Sequence, residues 1–157
     1  MRILFACDHG AFELKQHLMD HLAKRGDTVE VVDLGTDGSE SVDYPDFAAK
    51  LCREVLASEA DGGDSHGGDI RGILLCGTGI GISIAANRFS GIRAALCHDA
   101  YTARLCREHN NANVLVLGGR TTGPATAEEI VDIWFDTAFE GGRHQRRLDK
   151  IETNAQS

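Results

Sequence analysis

Residues 72–83 read Gly-Ile-Leu-Leu-Cys-Gly-Thr-Gly-Ile-Gly-Ile-Ser. A short apolar run ends at Cys76, glycines stand at 77, 79 and 81, and a helix-forming segment follows. This order predicts a buried strand, a loop of bare backbone amides and a helix start. Such loops bind anions, because unpaired N–H groups and the positive helix end converge there. A thiol at the lip of the loop sits where amides can meet negative charge on sulfur. The glycines alone suggest a binding protein; the cysteine points to catalysis.

The rest of the chain supplies the frame for this loop. Residues 2–7 form a first apolar run, and 12–25 carry Leu14, Leu18 and Leu22 at helical spacing before Gly26. The β-branched segment 28–32 reads as a second strand. Pro45 suits the first turn of a helix whose buried stripe is Phe47, Leu51 and Val55. Residues 58–71, acidic and glycine-rich, are expected to be a mobile surface loop inserted in the domain. A helix over 81–89, a strand over 92–97, a helix over 100–109 and a strand over 114–117 follow. Pro124 opens a long helix with Ile130, Val131, Trp134, Phe135 and Ala138 toward the core. Gly141-Gly142 breaks the chain before a last helix over 143–153 and a polar tail. Strands alternate with helices, which predicts one α/β domain over 1–157. It should be a Rossmann-like three-layer α/β/α sandwich around a five-stranded, mainly parallel sheet. Ligands bind such sheets at the carboxyl ends of strands, where Asp8-His9, Cys76, His98-Asp99 and Gly119-Arg120 all fall.

Composition narrows the function. No apolar run approaches the roughly 20 residues of a membrane span. Five cysteines, at 7, 52, 76, 97 and 106, show no disulfide framework and argue for free thiols in a reducing, cytoplasmic setting. A net charge of −8 disfavours a nucleic-acid surface but not a small anionic substrate, for which local cations decide.

Several constellations compete. The glycine loop lacks the Gly-Lys-Ser/Thr of a Walker A loop, and Ile82 replaces the third glycine of a dinucleotide fingerprint. Asp99 nonetheless stands about 20 residues on, as a ribose-binding acid would. A cysteine-phosphatase loop would need a closing arginine that this loop lacks. A tight turn around a structural thiol remains open, as does a helix-capping role for Asp8. His17 and His21 share a helix face; without a third ligand they read as a solvated face rather than a metal site. Arg143 and Arg147 share a face of the last helix and read as a phosphate clamp or as a solvated turn. A clamp near a chain end can reach a neighbouring subunit.

Taken together, Cys7-Asp8-His9-Gly10, Asp43-Tyr44-Pro45, the run from Cys76 to Asn87, Arg107-Glu108-His109-Asn110-Asn111 and Gly141-Gly142-Arg143-His144-Gln145-Arg146-Arg147 resemble the ribose-5-phosphate isomerase B family, which also holds galactose-6-phosphate isomerase subunits. The resemblance spans nearly the whole chain. It implies isomerisation of an aldose phosphate to a ketose phosphate through a cis-enediolate, a step of pentose phosphate metabolism, with no cofactor and no metal. Cys76 matches the family's general base. Some relatives use a glutamate a few residues later, where Ser83 stands here. The resemblance further implies that amides of Gly77, Thr78, Gly79, Ile80 and Gly81, with the Thr78 hydroxyl, stabilise the enediolate oxygens. His109 would open the sugar ring and Asp8 would shuttle protons. His9, Arg120, Arg143 and Arg147 would hold the phosphate, Asn110 the sugar, and Tyr44 would line the pocket. A homodimer, or a dimer of dimers, is expected to share each site between subunits.

Overall fold

A computed structural model describes residues 1–26, 29–60 and 70–155. Five strands, β1 (Arg2–Cys7), β2 (Glu30–Asp33), β3 (Ile70–Cys76), β4 (Ala94–Leu96) and β5 (Val114–Gly118), form one sheet in the order β2-β1-β3-β5-β4. All four pairings are parallel. The helices are α1 (Phe12–Ala23), α2 (Tyr44–Ala60), α3 (Ile80–Ala86), α4 (Ala100–Glu108), α5 (Pro124–Asp136) and α6 (Arg143–Ala155).

Each central strand is apolar on both faces, which is what a parallel sheet covered on both sides requires. Ile3, Phe5, Cys7, Ile73, Leu75, Leu115 and Leu117 point to one layer, where Leu14, Leu18 and Leu22 of α1 meet Ala103 of α4 and Ile130, Val131 and Trp134 of α5. The alternate residues Leu4, Ala6, Leu74, Cys76, Val114 and Val116 point to the other, against Leu51 and Val55 of α2 and Ile82 and Ala86 of α3. This alternation puts the Cys76 side chain in the α2–α3 layer.

Several expectations need correction. The stretch 58–71 is not a loop throughout. Its first three residues complete α2 and its last two begin β3, while 61–69, like Thr28 and the last two residues of the polar tail, lie outside the described residues. Arg71 is buried, stacks on Trp134 and donates to the carbonyls of Trp134 and Phe135 at the C-terminal end of α5. A cation at that end also favours the helix dipole. Helix α5 stops at Asp136, so Ala138 lies beyond it and is exposed rather than in the core. His17 is exposed, as a solvated face requires, and His21 is half-buried, but both carry ion-pair partners. His17 meets Glu128 at 2.9 Å, His21 meets Asp132 at 3.0 Å, and Arg25 pairs with Asp136 at 2.8 Å. His17 and His21 of α1, Arg25 just past its end, and their α5 partners all recur every fourth residue, so these ion pairs form a ladder along two parallel helices. The hydrogen bond from Arg25 holds the Asp136 carboxyl below its usual range.

Burial pushes the Cys7 thiol up to about 11 and the Cys52 thiol up to about 12. In the unfolded chain both thiols ionise near pH 8.5. Their stabilising contribution is therefore complete below that pH and is lost as pH rises toward the folded values. Urea unfolding at about pH 10.5 should show a loss on the order of a few kcal/mol relative to about pH 8. Much of that loss should vanish in a Cys7→Ala/Cys52→Ala chain. An equal loss in that variant would assign it to other groups.

Candidate active site

The direction of chain progression reverses between β1 and β3, and there the loops that follow the strands leave a crevice. Those loops are laced by backbone bonds. Gly119 N donates to Cys76 O and Arg120 N to Gly77 O, both at 2.9 Å, and Asp8 N donates to Leu75 O at 3.3 Å. Only glycine fits the closest approach: a Cβ on Gly119 would stand 2.7 Å from Cα of Ala11. Asp8, His9, Gly10, Tyr44, Cys76, Gly77, Thr78, Gly81 and Arg120 surround the resulting cleft of about 310 Å³.

Cys76 closes β3, is 5% exposed and lines this cleft. The amide of Gly79 donates to Sγ at 3.2 Å. Gly79 holds φ at +78°, a left-handed conformation that turns the chain directly into α3. The Ile80 amide donates to Thr78 Oγ1 at 3.3 Å. Two of the five loop amides are thus engaged inside the loop, against the expectation that all face a substrate. Ser83, at the alternative base position, donates to Ile80 O at 2.7 Å.

The flanking groups are fixed from other elements. Asp8 is buried and accepts from Gly10 N at 2.9 Å, so it caps the turn after β1 while remaining on the cleft wall. His9 Nδ1 accepts from Val42 N at 3.3 Å, which leaves Nε2 to donate. The Tyr44 ring lies against Gly81; a Cβ there would stand 2.7 Å from the ring. Arg120 is exposed, with its guanidinium beside Gly77. The placement of Val42 depends on a residue the sequence left unmarked. Lys15 of α1, fully buried, binds Asp33 at 2.6 Å and Thr36 O at 2.7 Å, tying down the chain between β2 and α2. A lysine three residues before Leu18 reads as solvent-facing until its partners, 18 and 21 positions away, are in place.

The remaining expected site residues, His109, Asn110, Arg143 and Arg147, do not line this cleft. His109 ends α4 and stacks on His144, with ring centroids 4.2 Å apart and planes 6° from parallel. Arg143 Nε donates to His144 Nε2 at 3.3 Å, and Glu140 lies 3.4 Å from the same nitrogen. Burial first, and then His109 and the neighbouring arginines, hold the His144 imidazole below the usual histidine range. Arg143 and Arg147 are exposed on the outer face of α6. Asn110 lines a separate cavity of about 350 Å³ with Ile92, Arg93, Leu148 and Ile151. Buried Arg107 braces this region by donating to Ala112 O at 2.8 Å and Thr137 O at 3.4 Å. One chain therefore carries two groups of site residues on different parts of its surface.

Other readings lose support. Asp99 accepts from Thr102 N at 2.7 Å and caps α4, the place a capping aspartate takes rather than a ribose-binding one. Cys97 and Cys106 are buried with their sulfurs 3.8 Å apart. Among the described residues, the side chains close enough together to hold a metal ion are His109, Glu140 and His144.

The fold is shared with proteins of known family. The Ribose/Galactose Isomerase family profile matches residues 3–151. Ribose-5-phosphate isomerase B of Escherichia coli K12 is 49% identical over 150 residues, covering 96% of this chain and 93% of its own. The Clostridium thermocellum ribose-5-phosphate isomerase B structure superposes with a TM-score of 0.89 at 49% identity, over 99% of this chain and 98% of that one. The Thermotoga maritima enzyme gives 0.86 at 52% identity, over 97% of each chain. The chain belongs to the ribose/galactose isomerase family and is an isomerase.

Proposed function

We propose that this isomerase interconverts ribose 5-phosphate and ribulose 5-phosphate, with Cys76 as the base. The observation that carries the reading is a largely buried thiol lining a crevice whose walls also hold Asp8, His9 and Arg120. The thiolate takes the proton on C2 of the open-chain aldose, leaving an enediolate whose electrons spread onto O1. Return of the proton to C1, with transfer of the hydroxyl proton through Asp8, gives the ketose. The Thr78 hydroxyl and the loop amides other than those of Gly79 and Ile80 meet the oxyanion. His9 and Arg120 engage the phosphate.

Ring opening falls to His109, a hold on the sugar to Asn110 and the rest of the phosphate clamp to Arg143 and Arg147, all of which we assign to the cleft of a second copy of the chain. Helix α3 leaves Ile80 and Ile84 about half exposed, one turn apart beside the glycine loop, and Tyr101 is exposed at the start of α4. A second copy seated on these residues would bury them and bring its own arginines to the crevice. Arg147→Ala should then raise KM about ten- to hundredfold, the worth of one charge-assisted hydrogen bond. An unchanged KM would move the phosphate elsewhere.

The direct test is a coupled assay of ribose 5-phosphate against allose 6-phosphate and galactose 6-phosphate, with and without EDTA. The pentose should be preferred and the chelator should leave its turnover intact. Preference for a hexose phosphate would reassign the substrate. Loss of turnover restored by a divalent ion would overturn the thiol mechanism.

A further inference from the structure

We propose that His109, Glu140 and His144 form a site for one borderline divalent transition-metal ion, of the Zn²⁺ or Co²⁺ type, and that occupancy takes His109 out of the reaction. The second half rests on the ring-opening role given to His109 above; the first half does not.

One ligand atom from each of the three residues lies within 4.8 Å of the others. His144 Nε2 and Glu140 Oε2 are 3.4 Å apart. Two ligands at about 2.0–2.1 Å on a tetrahedral zinc ion stand roughly 3.4 Å from each other, so this pair already has the required spacing. The spacing is built by the backbone. Glu140 N donates to Glu108 O at 3.0 Å, which fastens the segment after α5 to the end of α4 beside His109. Gly141 and Gly142, at φ +66° and +55°, turn the chain, and His144 N closes the turn on Gly141 O at 3.0 Å. The His144 side chain is 6% exposed and held in place, whereas Glu140 is 54% exposed and open to solvent.

The chemistry selects the ion. Two imidazoles and one carboxylate suit zinc, cobalt or nickel, whereas magnesium and calcium favour oxygen donors. His144 Nε2 already accepts a hydrogen bond from Arg143, so its lone pair points out of the ring toward the site. A metal ion would replace that guanidinium, which is exposed and can swing away. The two rings are nearly parallel, so coordination by both requires one to tilt. His109, less buried than His144, is the one with room to do so. The tilt commits its nitrogen to the metal and away from a sugar.

Co²⁺ titration of the chelator-treated full chain reports binding without reference to turnover. One ion per chain is expected, with visible bands of low-coordinate cobalt and no sulfur-to-cobalt band. Glu140→Gln, at an exposed side chain, and His144→Ala should each weaken Co²⁺ binding by at least about tenfold. Cys76→Ala should leave it unchanged. Zn²⁺ should inhibit isomerisation reversibly, and Glu140→Gln should need about tenfold more Zn²⁺ for the same inhibition. Unchanged affinity in both ligand variants, or a sulfur-to-cobalt band, would overturn the proposed site. Cobalt held there with turnover undiminished would leave the site standing and overturn instead the ring-opening role of His109.

Discussion

Replacing Cys76 by alanine is expected to lower isomerase turnover by about 10²–10⁴-fold, the usual contribution of a positioned general base. Binding should change little, because His9 and Arg120, proposed above to hold the phosphate, stand on the loops after β1 and β5, not on the sulfur. The loss of turnover should not reflect unfolding. The substitution removes a single sulfur atom from a layer otherwise packed by Leu74, Ile82 and Val116, a cost near 1 kcal/mol. Thermal shift with a sugar phosphate would verify that the variant is folded and binds. Cys76→Ser sharpens the test: it restores the shape but not the acidity of the thiol, and turnover should stay low. Full turnover in Cys76→Ala would mean that the base is another group, and Asp8, on the same cleft wall, would be the first to examine.

The second large effect concerns two inactive chains that recover activity together. If Cys76 and His109 act in one site but come from different copies, Cys76→Ala and His109→Ala homodimers each have two dead sites. A mixed dimer has one site lacking both groups and one site with both intact. Random exchange puts about half of the dimers in the mixed form, so the mixture should regain about a quarter of wild-type activity. Unfolding and refolding the two variants together, followed by the coupled assay, checks this. No recovery, with mixed dimers present by native mass spectrometry, would place both residues in one chain's site. That result would contradict a geometry in which His109 packs on His144, while the Cys76 cleft is walled by Asp8, His9 and Tyr44.

The α/β class and the strand-end loops were legible in the sequence because they depend on local order. Apolar runs at 2–7, 72–76 and 114–117 mark strands buried on both faces, which the structure extends to Ile70 and Gly118, and Pro45 and Pro124 mark helix starts. Three glycines after Cys76 allow a turn that side chains would block. What local pattern left unread depends mostly on long-range partners. Lys15, Arg71 and Arg107 look like surface charges from their neighbours, yet each is buried, and its hydrogen-bond partners come from other elements or the turns beside them. The acidic partners of His17 and His21 are Glu128 and Asp132 of α5, 111 residues on in each case. Ala138 fits the helical spacing of α5, but the chain leaves the helix at Asp136 and periodicity alone does not mark that end.

By itself the sequence determined which chemical groups stand after each strand, since the alternation of buried residues and the glycine turns are short-range properties. The tertiary structure decided which of those groups meet. Strand order brings the ends of β1 and β3 side by side, so Asp8 and Cys76 share one crevice. The turn at Gly141-Gly142 instead folds His144 onto His109, away from that crevice. The physical reason is that proximity across 30 or 70 residues is set by sheet pairing and helix packing, which no local pattern encodes.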